Sequence, residues 1–142
     1  MTIKQLSVFV ENKQGRLSEI TGILQGAWVD IRALSLADTT DFGILRLIVD
    51  KEDVAEAALR GAGLTVSLTP VIAAGIADRP GGLAEAMALL RDGGISVEYM
   101  YAFISRRKEM AYVILRVDDN GKAAELLQKA AFPLLTEEEI AE

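Results

Sequence analysis

The chain repeats itself. Displaced by 66 residues, Gly15-Arg16-Leu17-Ser18-Glu19 falls on Gly81-Gly82-Leu83-Ala84-Glu85, Leu24 on Leu90, Ile31 on Val97 and Asn12 on Asp78. Further along the displacement is 68: Leu47, Val49 and Asp50 meet Leu115, Val117 and Asp118, and Ala55 and Leu59 meet Ala123 and Leu127. The two extra residues fit in Ser105-Arg106-Arg107-Lys108-Glu109, a polar stretch that reads as a lengthened hairpin turn. Few positions are identical; what recurs is the order of patterns. A chain of this kind must fold as two similar supersecondary units.

In the first half, Ile3 to Val10 alternates loosely and is rich in β-branched and aromatic residues, which predicts a strand. Glu11-Asn12-Lys13-Gln14-Gly15 is turn chemistry, and Leu17, Ile20 and Leu24 then mark one face of a helix that fades near Gly26. Val29 to Ala37 and Gly43 to Asp50 flank Asp38-Thr39-Thr40-Asp41-Phe42, which predicts an antiparallel hairpin. Asp53 is placed to cap a short helix bearing Val54, Ala57 and Ala58, closed by Gly61 and Gly63. Leu64 to Leu68 reads as a final strand.

The second half follows the same order. Val71 to Ala77 predicts a strand, and Asp78-Arg79-Pro80-Gly81-Gly82 opens a helix with Leu83, Ala86, Met87 and Leu90 on its apolar face, ended by Asp92-Gly93-Gly94. Ile95 to Ile104 and Met110 to Val117 form a hairpin, and Asp118-Asp119-Asn120-Gly121 leads into a helix with Ala123, Leu126, Leu127 and Ala130. A short strand near Pro133 to Leu135 completes the unit, and Glu137-Glu138-Glu139 reads as a solvated tail.

Two β-α-β-β-α-β units imply an α+β, ferredoxin-like fold, each with a four-stranded antiparallel sheet and two helices on one face. A unit of roughly 70 residues has a thin core of its own. Divided as 1–69 and 70–142, with only Thr69-Pro70 between their strands, the halves are expected to pack together. Joining them side by side into one eight-stranded sheet would remove an exposed edge from each.

Composition excludes several chemistries. The 142 residues contain no Cys and no His, so no disulfide, thiolate nucleophile, imidazole base or structural zinc site of this chain's own is possible. With 15 Lys+Arg against 21 Asp+Glu, the net charge of −6 disfavours nucleic acid, whose affinity rests on neutralised phosphates. The longest apolar run, Val71 to Ala77, is far short of the ~20 residues that cross a bilayer. The start, Met1-Thr2-Ile3-Lys4-Gln5, lacks the layout of a signal peptide, so a cytoplasmic location is expected.

Asp78-Arg79-Pro80-Gly81-Gly82-Leu83 falls where a strand ends and a helix begins. Pro80 and the glycines suit a tight entry, and the free N–H groups of the first turn suit a carboxylate. Asp78 is placed to hold an ammonium group, so the loop offers partners for both poles of a free amino acid. On composition alone a plain helix start that binds nothing, with Asp78 as its cap, is the commoner reading. The counterpart Asn12-Lys13-Gln14-Gly15-Arg16-Leu17 keeps the glycine and leucine but has Asn for Asp and Gln for Pro. Asn12 can still bond a polar ligand; Arg16 suits a carboxylate or simply solvent.

A βαββαβ module whose first loop reads Asp-x-Pro-Gly-x-Leu resembles the ACT domain, a small regulatory module of amino-acid metabolism. The matching residues are Asp78, Pro80, Gly81 and Leu83 in the second half and Asn12, Gly15 and Leu17 in the first, and the resemblance spans nearly the whole chain as a tandem pair. It implies a ligand bound where two such units meet side by side, between the first loop of one and the strand after the first helix of the other. Carried over, one site joins Asn12 to Leu17 (Asn12, Gly15, Arg16, Leu17) with Ile95, Ser96 and Val97. The reciprocal site joins Asp78, Pro80, Gly81, Gly82 and Leu83 with Val29, Asp30 and Ile31.

Other features have plainer readings. Thr40-Asp41-Phe42-Gly43-Ile44-Leu45 faintly resembles an RNA-recognition strand but lacks its basic and stacked aromatic residues. Arg106-Arg107-Lys108 reads as a solvated turn, and Tyr99, Tyr101 and Phe103 as packing on one strand face or a dimer patch. Trp28, directly after the first helix, reads as a partly buried packing residue near a predicted site. Asp118-Asp119-Asn120-Gly121 is faintly calcium-like but lacks the glutamate of a calcium loop, so a turn is the better account. No paired carboxylates, P-loop or nucleotide fingerprint is present, so catalysis is not expected and no cofactor is implied.

The sequence therefore predicts a regulatory, allosteric binder of a free amino acid or similar small ligand. It would act on a partner enzyme of amino-acid metabolism or through its own assembly as a homo-oligomer such as a homodimer, and on neither nucleic acid nor membrane. The alternative is a dimerisation or interaction module with no metabolite.

Overall fold

The computed structural model describes residues 1–38, 41–103 and 110–141. Its elements run β1 (Ile3–Glu11), α1 (Arg16–Gly26), β2 (Ile31–Asp38), β3 (Phe42–Val49), α2 (Glu52–Gly61), β4 (Val66–Ala77), α3 (Gly82–Asp92), β5 (Val97–Phe103), β6 (Met110–Val117), α4 (Asn120–Lys129) and α5 (Glu137–Ala141). The chain divides into two compact units, one of Lys4–Thr69 with Ile140–Glu142 and one of Pro70–Glu139 with Met1–Ile3. The turn positions 39–40, the residue expected to end the strand that begins at Ile95 (Ile104) and the basic turn at 105–109 lie outside the described residues.

In the unit of Lys4–Thr69, alternation on the strands sets the core. Leu6 and Val8 of β1 stand opposite Leu47 and Leu45 of β3, and all four are buried with Val10, Val49 and Val66. Ile20 and Leu24 of α1 and Ala55 and Leu59 of α2 close this face. The apolar face expected for α2 is corrected: Val54 and Ala57 are exposed, and Ala55 and Leu59, one turn apart, are the buried pair. Asp53 is not the cap either; the N-cap is Lys51, with no side-chain cap bond.

The unit of Pro70–Glu139 is built alike. Ile72, Ala74 and Ile76 of β4 and Val113, Leu115 and Val117 of β6 face Ala86 and Leu90 of α3 and Ala123, Ala124 and Leu127 of α4. β5 pairs antiparallel with β6, and Phe103 packs on Tyr112 with ring centroids 5.4 Å apart.

Among the described residues the strands are hydrogen-bonded in the order β2-β3-β1-β4-β6-β5, six strands rather than the eight expected. Two expectations failed for one reason, the backbone of proline. Leu64 to Leu68 and Val71 to Ala77 are not separate strands, because Val66–Ala77 is one strand of 12 residues running through Thr69-Pro70. Proline's fixed φ lies within reach of extended chain and drives its predecessor into the β region, so the dipeptide prolongs the strand. Pro133 to Leu135 is only a bridge, Ala74 to Leu134, with Gly75 N–H donating to Pro133 O at 2.7 Å and Leu135 N–H to Ala73 O at 2.9 Å. Pro133 has no N–H with which to extend it.

The acidic tail is also corrected. Glu137 to Glu139 open α5: the Thr136 hydroxyl accepts the Glu139 N–H, and Glu139 Oε1 accepts the Thr136 N–H, both at 3.2 Å. This is a reciprocal capping box, and Ile140 behind it is buried.

Candidate ligand site

Both βα loops enter their helices on a left-handed glycine. Gly15 has φ 86° before α1, and Gly81 has φ 87° before α3. The backbone turns agree: Lys13 N–H donates to Glu11 O at 2.8 Å and Arg16 N–H to Lys13 O at 3.3 Å, matched by Arg79 to Ala77 at 2.9 Å and Gly82 to Arg79 at 3.0 Å. Replacing Asp-x-Pro by Asn-x-Gln leaves this geometry intact, because the glycine's positive φ defines it. Asp78 is not the cap of α3; Gly81 occupies that place, and neither helix start has a side-chain cap bond. By contrast Asp119, part of the calcium-like turn, caps α4 through the Lys122 N–H at 3.0 Å.

Cations near the two loops are matched by the chain's own carboxylates. Arg16 lies 2.9 Å from Glu19 and 3.8 Å from Glu11, Lys13 lies 2.8 Å from Glu11, and Arg79 lies 2.7 Å from Glu85. The hydrogen bond from Lys13, with the charges of Lys13 and Arg16, holds the Glu11 carboxyl below its ordinary value. Leu17 and Leu83, 66 residues apart, are each 42% exposed one residue into their helices. Asn12, Asp78 and Pro80 are exposed as well. Gly82 is buried, and a Cβ there would lie 2.1 Å from Ala77 O, so α3 begins hard against the end of β4. In the unit of Lys4–Thr69, Asn12, Gly15, Arg16 and Leu17 line a cavity of about 380 Å³ with Val10 and Leu36.

Past the other end of each helix lies the second set of predicted residues. Val29, Asp30 and Ile31 line a cleft of about 590 Å³ with Trp28, Asp50 and Lys51. Asp50 Oδ1 accepts the Asp30 N–H at 2.9 Å, and Asp118 Oδ1 accepts the Ser96 N–H at 3.0 Å in the matching position. Val29 and Ile95 are buried core residues and so offer only backbone; Asp30 and Ser96 are exposed, and Ile31 and Val97 half-buried. Trp28 is corrected: it is 83% exposed, not a packing residue. Sequence reading missed Asp50 and Lys51 here, although the match of Asp50 with Asp118 in the repeat was a usable signal.

Within one unit the two sets stay apart. Each of α1 and α3 has 11 residues, which puts about 16 Å between its ends. No small ligand reaches both.

A model of the ACT domain pair matches residues 1–142. The chain belongs to the ACT domain pair family. It is 37% identical to protein BT0572 from Bacteroides thetaiotaomicron, over 100% of this chain and 97% of that one, with a TM-score of 0.94. The regulatory subunit of aspartate kinase from Thermus thermophilus matches at a TM-score of 0.62 and 13% identity, over 90% of this chain and 92% of that one. Aspartate kinase from Clostridium acetobutylicum matches at 0.54 and 14%, with 89% of this chain covering 32% of the enzyme. At such identities these two kinase matches show the fold alone. No curated protein matches the sequence. Among the described residues, no group of three or more Asp and Glu could hold a metal ion, and no helix is long and apolar enough to cross a membrane.

Proposed function

We propose that this ACT domain pair is a non-catalytic, cytoplasmic regulatory protein that binds a free amino acid, with ACT units at 1–69 and 70–142. One observation carries the reading. α1 and α3 begin on left-handed glycines without a side-chain cap, while α4 is capped by Asp119. First-turn amides that no side chain satisfies suit the carboxylate of a small ligand. Asp78 or Asn12 beside them supplies an acceptor for its ammonium group.

Because the two residue sets lie at opposite ends of each 11-residue helix, a complete site needs two units. Asn12, Gly15, Arg16 and Leu17 would then work with Ile95, Ser96 and Val97 of another unit. Asp78, Pro80, Gly81, Gly82 and Leu83 would work with Val29, Asp30 and Ile31. A ligand bridging two units favours the arrangement that brings them together, which is how binding would be passed to a partner enzyme or to self-assembly.

The test is the melting temperature against the twenty common amino acids. A ligand at about 100 times its Kd adds about 2.7 kcal/mol, a clear shift. Selective stabilisation that Asp78→Ala or Asn12→Ala abolishes supports binding; a flat response across the panel rejects it. A second reading, a dimerisation module without metabolite, is favoured by the outer strand β2, where Leu34 and Leu36 are 57% and 48% exposed. A flat panel together with a dimer that Leu34→Glu dissociates would establish that reading instead.

A further inference from the structure

Two departures from the repeat meet in the cleft after α1. α1 to α4 all end in the same backbone motif, with a left-handed residue at Trp28, Gly63, Gly94 and Ala131. At the end of α1 the Trp28 N–H donates to Gln25 O and the Val29 N–H to Leu24 O, both at 3.0 Å; at α3 Gly94 and Ile95 donate to Arg91 and Leu90. Trp28 thus stands where the other unit has Gly94, with φ 60° against 76°. Glycine takes this conformation without penalty, whereas a bulky L residue there is strained. Burial does not offset the strain, because Trp28 is 83% exposed.

The second departure is Lys51, which stands at the helix-cap position held by Asp119 in the other unit. Instead of capping α2, its ammonium donates to the carbonyl oxygen of Trp28. A lysine that does not cap therefore fastens a tryptophan that does not pack. Both line the cleft of about 590 Å³ with Thr21, Gln25, Asp30 and Asp50. Strain held at an exposed aromatic on a cavity wall points to contact with a ligand rather than to stability.

We infer that Trp28 is the specificity-determining residue of this cleft and that the ligand class is an aromatic amino acid, its ring against the indole. The inference rests on the amino-acid-binding reading above and narrows it to the aromatic members. An exposed indole offers its face or edge to a second ring. It also attracts cations, and the charged groups of the wall are Asp30 and Asp50 with Lys51, whose ammonium is bonded to the Trp28 carbonyl, so the cleft suits a ring carried by a zwitterion rather than a bare anion. The cleft of this unit alone carries Trp28 with Lys51, so the two halves of the chain differ in specificity.

Trp28 is the chain's one tryptophan, so its emission reads this cleft and nothing else. The experiment titrates the full chain with phenylalanine and with leucine, following tryptophan emission and, by calorimetry, binding to the wild type and to Trp28→Gly. The expected result is a saturable emission change with phenylalanine only. In Trp28→Gly, phenylalanine binding falls at least tenfold while Tm rises by about 3–5 °C as the strain is released. That opposed pair distinguishes a ligand contact from a packing role. A lowered Tm, or unchanged phenylalanine affinity, overturns the inference. If leucine or another aliphatic amino acid stabilises both proteins equally with no emission change, the binding reading stands and the role of Trp28 falls. If no amino acid stabilises the wild type, both fall.

Discussion

Asp50 accepts the backbone N–H of Asp30 at 2.9 Å, and its own N–H donates to the Asp30 carbonyl at 3.2 Å. One residue just past β3 thereby clamps the chain just before β2, and Asp118 clamps Ser96 in the same way at 3.0 and 3.2 Å. Asp50→Ala removes an ionised acceptor and leaves the Asp30 amide to solvent. The expected loss is about 1–2 kcal/mol of stability, measured by urea unfolding. Amide exchange should quicken at Asp30 and stay unchanged at Ser96, since the two clamps are separate. Equal acceleration at both would show that the clamp is not local.

Gly82 and Gly22 should respond oppositely to alanine. A Cβ on Gly82 would sit 2.1 Å from the carbonyl oxygen of Ala77, a backbone atom that cannot turn aside. Gly22 lies exposed in α1 with nothing within 4 Å of the same added atom. Gly82→Ala is expected to cost about 1–3 kcal/mol through displaced backbone, whereas Gly22→Ala should stabilise by about 0.5–1 kcal/mol through helix propensity. Denaturant midpoints of the two variants, one below and one above the wild type, check this.

The repeat made the order of elements legible, because each pattern appears twice and each copy corrects the other. The loose alternation of Ile3 to Val10 marked a strand, and its buried face carries Leu6, Val8 and Val10. Proline misled at Thr69-Pro70, where a residue type that usually punctuates a chain continues a strand. For α2, helical spacing allowed both Val54 with Ala57 and Ala55 with Leu59, and only packing against α1 and β3 decides between them. Trp28 was misread because hydrophobicity predicts burial, whereas its backbone conformation, visible only in three dimensions, turns it outward. The two loops that open α1 and α3 were identifiable from turn chemistry and family likeness. Lys51 was not, since its contact with the Trp28 carbonyl spans 23 positions.

The loop carboxylates predict a small, salt-sensitive dependence on pH. Glu11 is held below its ordinary value of 4.5, first by the hydrogen bond from Lys13, then by the charges of Lys13 and Arg16. A carboxyl lowered in the folded state contributes stability that is complete above 4.5 and is lost as the pH falls through the lowered value. Lys13→Ala should therefore raise the Glu11 titration midpoint, followed by carboxyl NMR. The difference in Tm between wild type and Glu11→Gln should shrink below pH 4.5. Since the pair is solvent-exposed, both effects should fade in about 1 M salt.

The helix ends carry a last prediction, in which two positions of the repeat exchange residues. Gly63 ends α2 with φ 87°, and Ala131 ends α4 with φ 66°. Their hydrogen bonds agree: Gly63 to Arg60 at 3.0 Å and Leu64 to Leu59 at 3.1 Å, against Ala131 to Gln128 at 3.0 Å and Phe132 to Leu127 at 2.9 Å. No atom lies within 4 Å of a Cβ added at Gly63, so the cost of alanine there is conformational and not steric crowding by neighbours. Gly63→Ala should destabilise by about 1–2 kcal/mol, and Ala131→Gly should stabilise by up to about the same amount, less the extra freedom glycine gains in the unfolded chain. The double exchange should then lie close to the wild type, because the two helix ends share no partner in these bonds and their effects should add. Urea unfolding of the two single variants and the double variant measures all three. An Ala131→Gly variant less stable than the wild type would mean that the Ala131 methyl contributes packing that outweighs the relief at φ 66°.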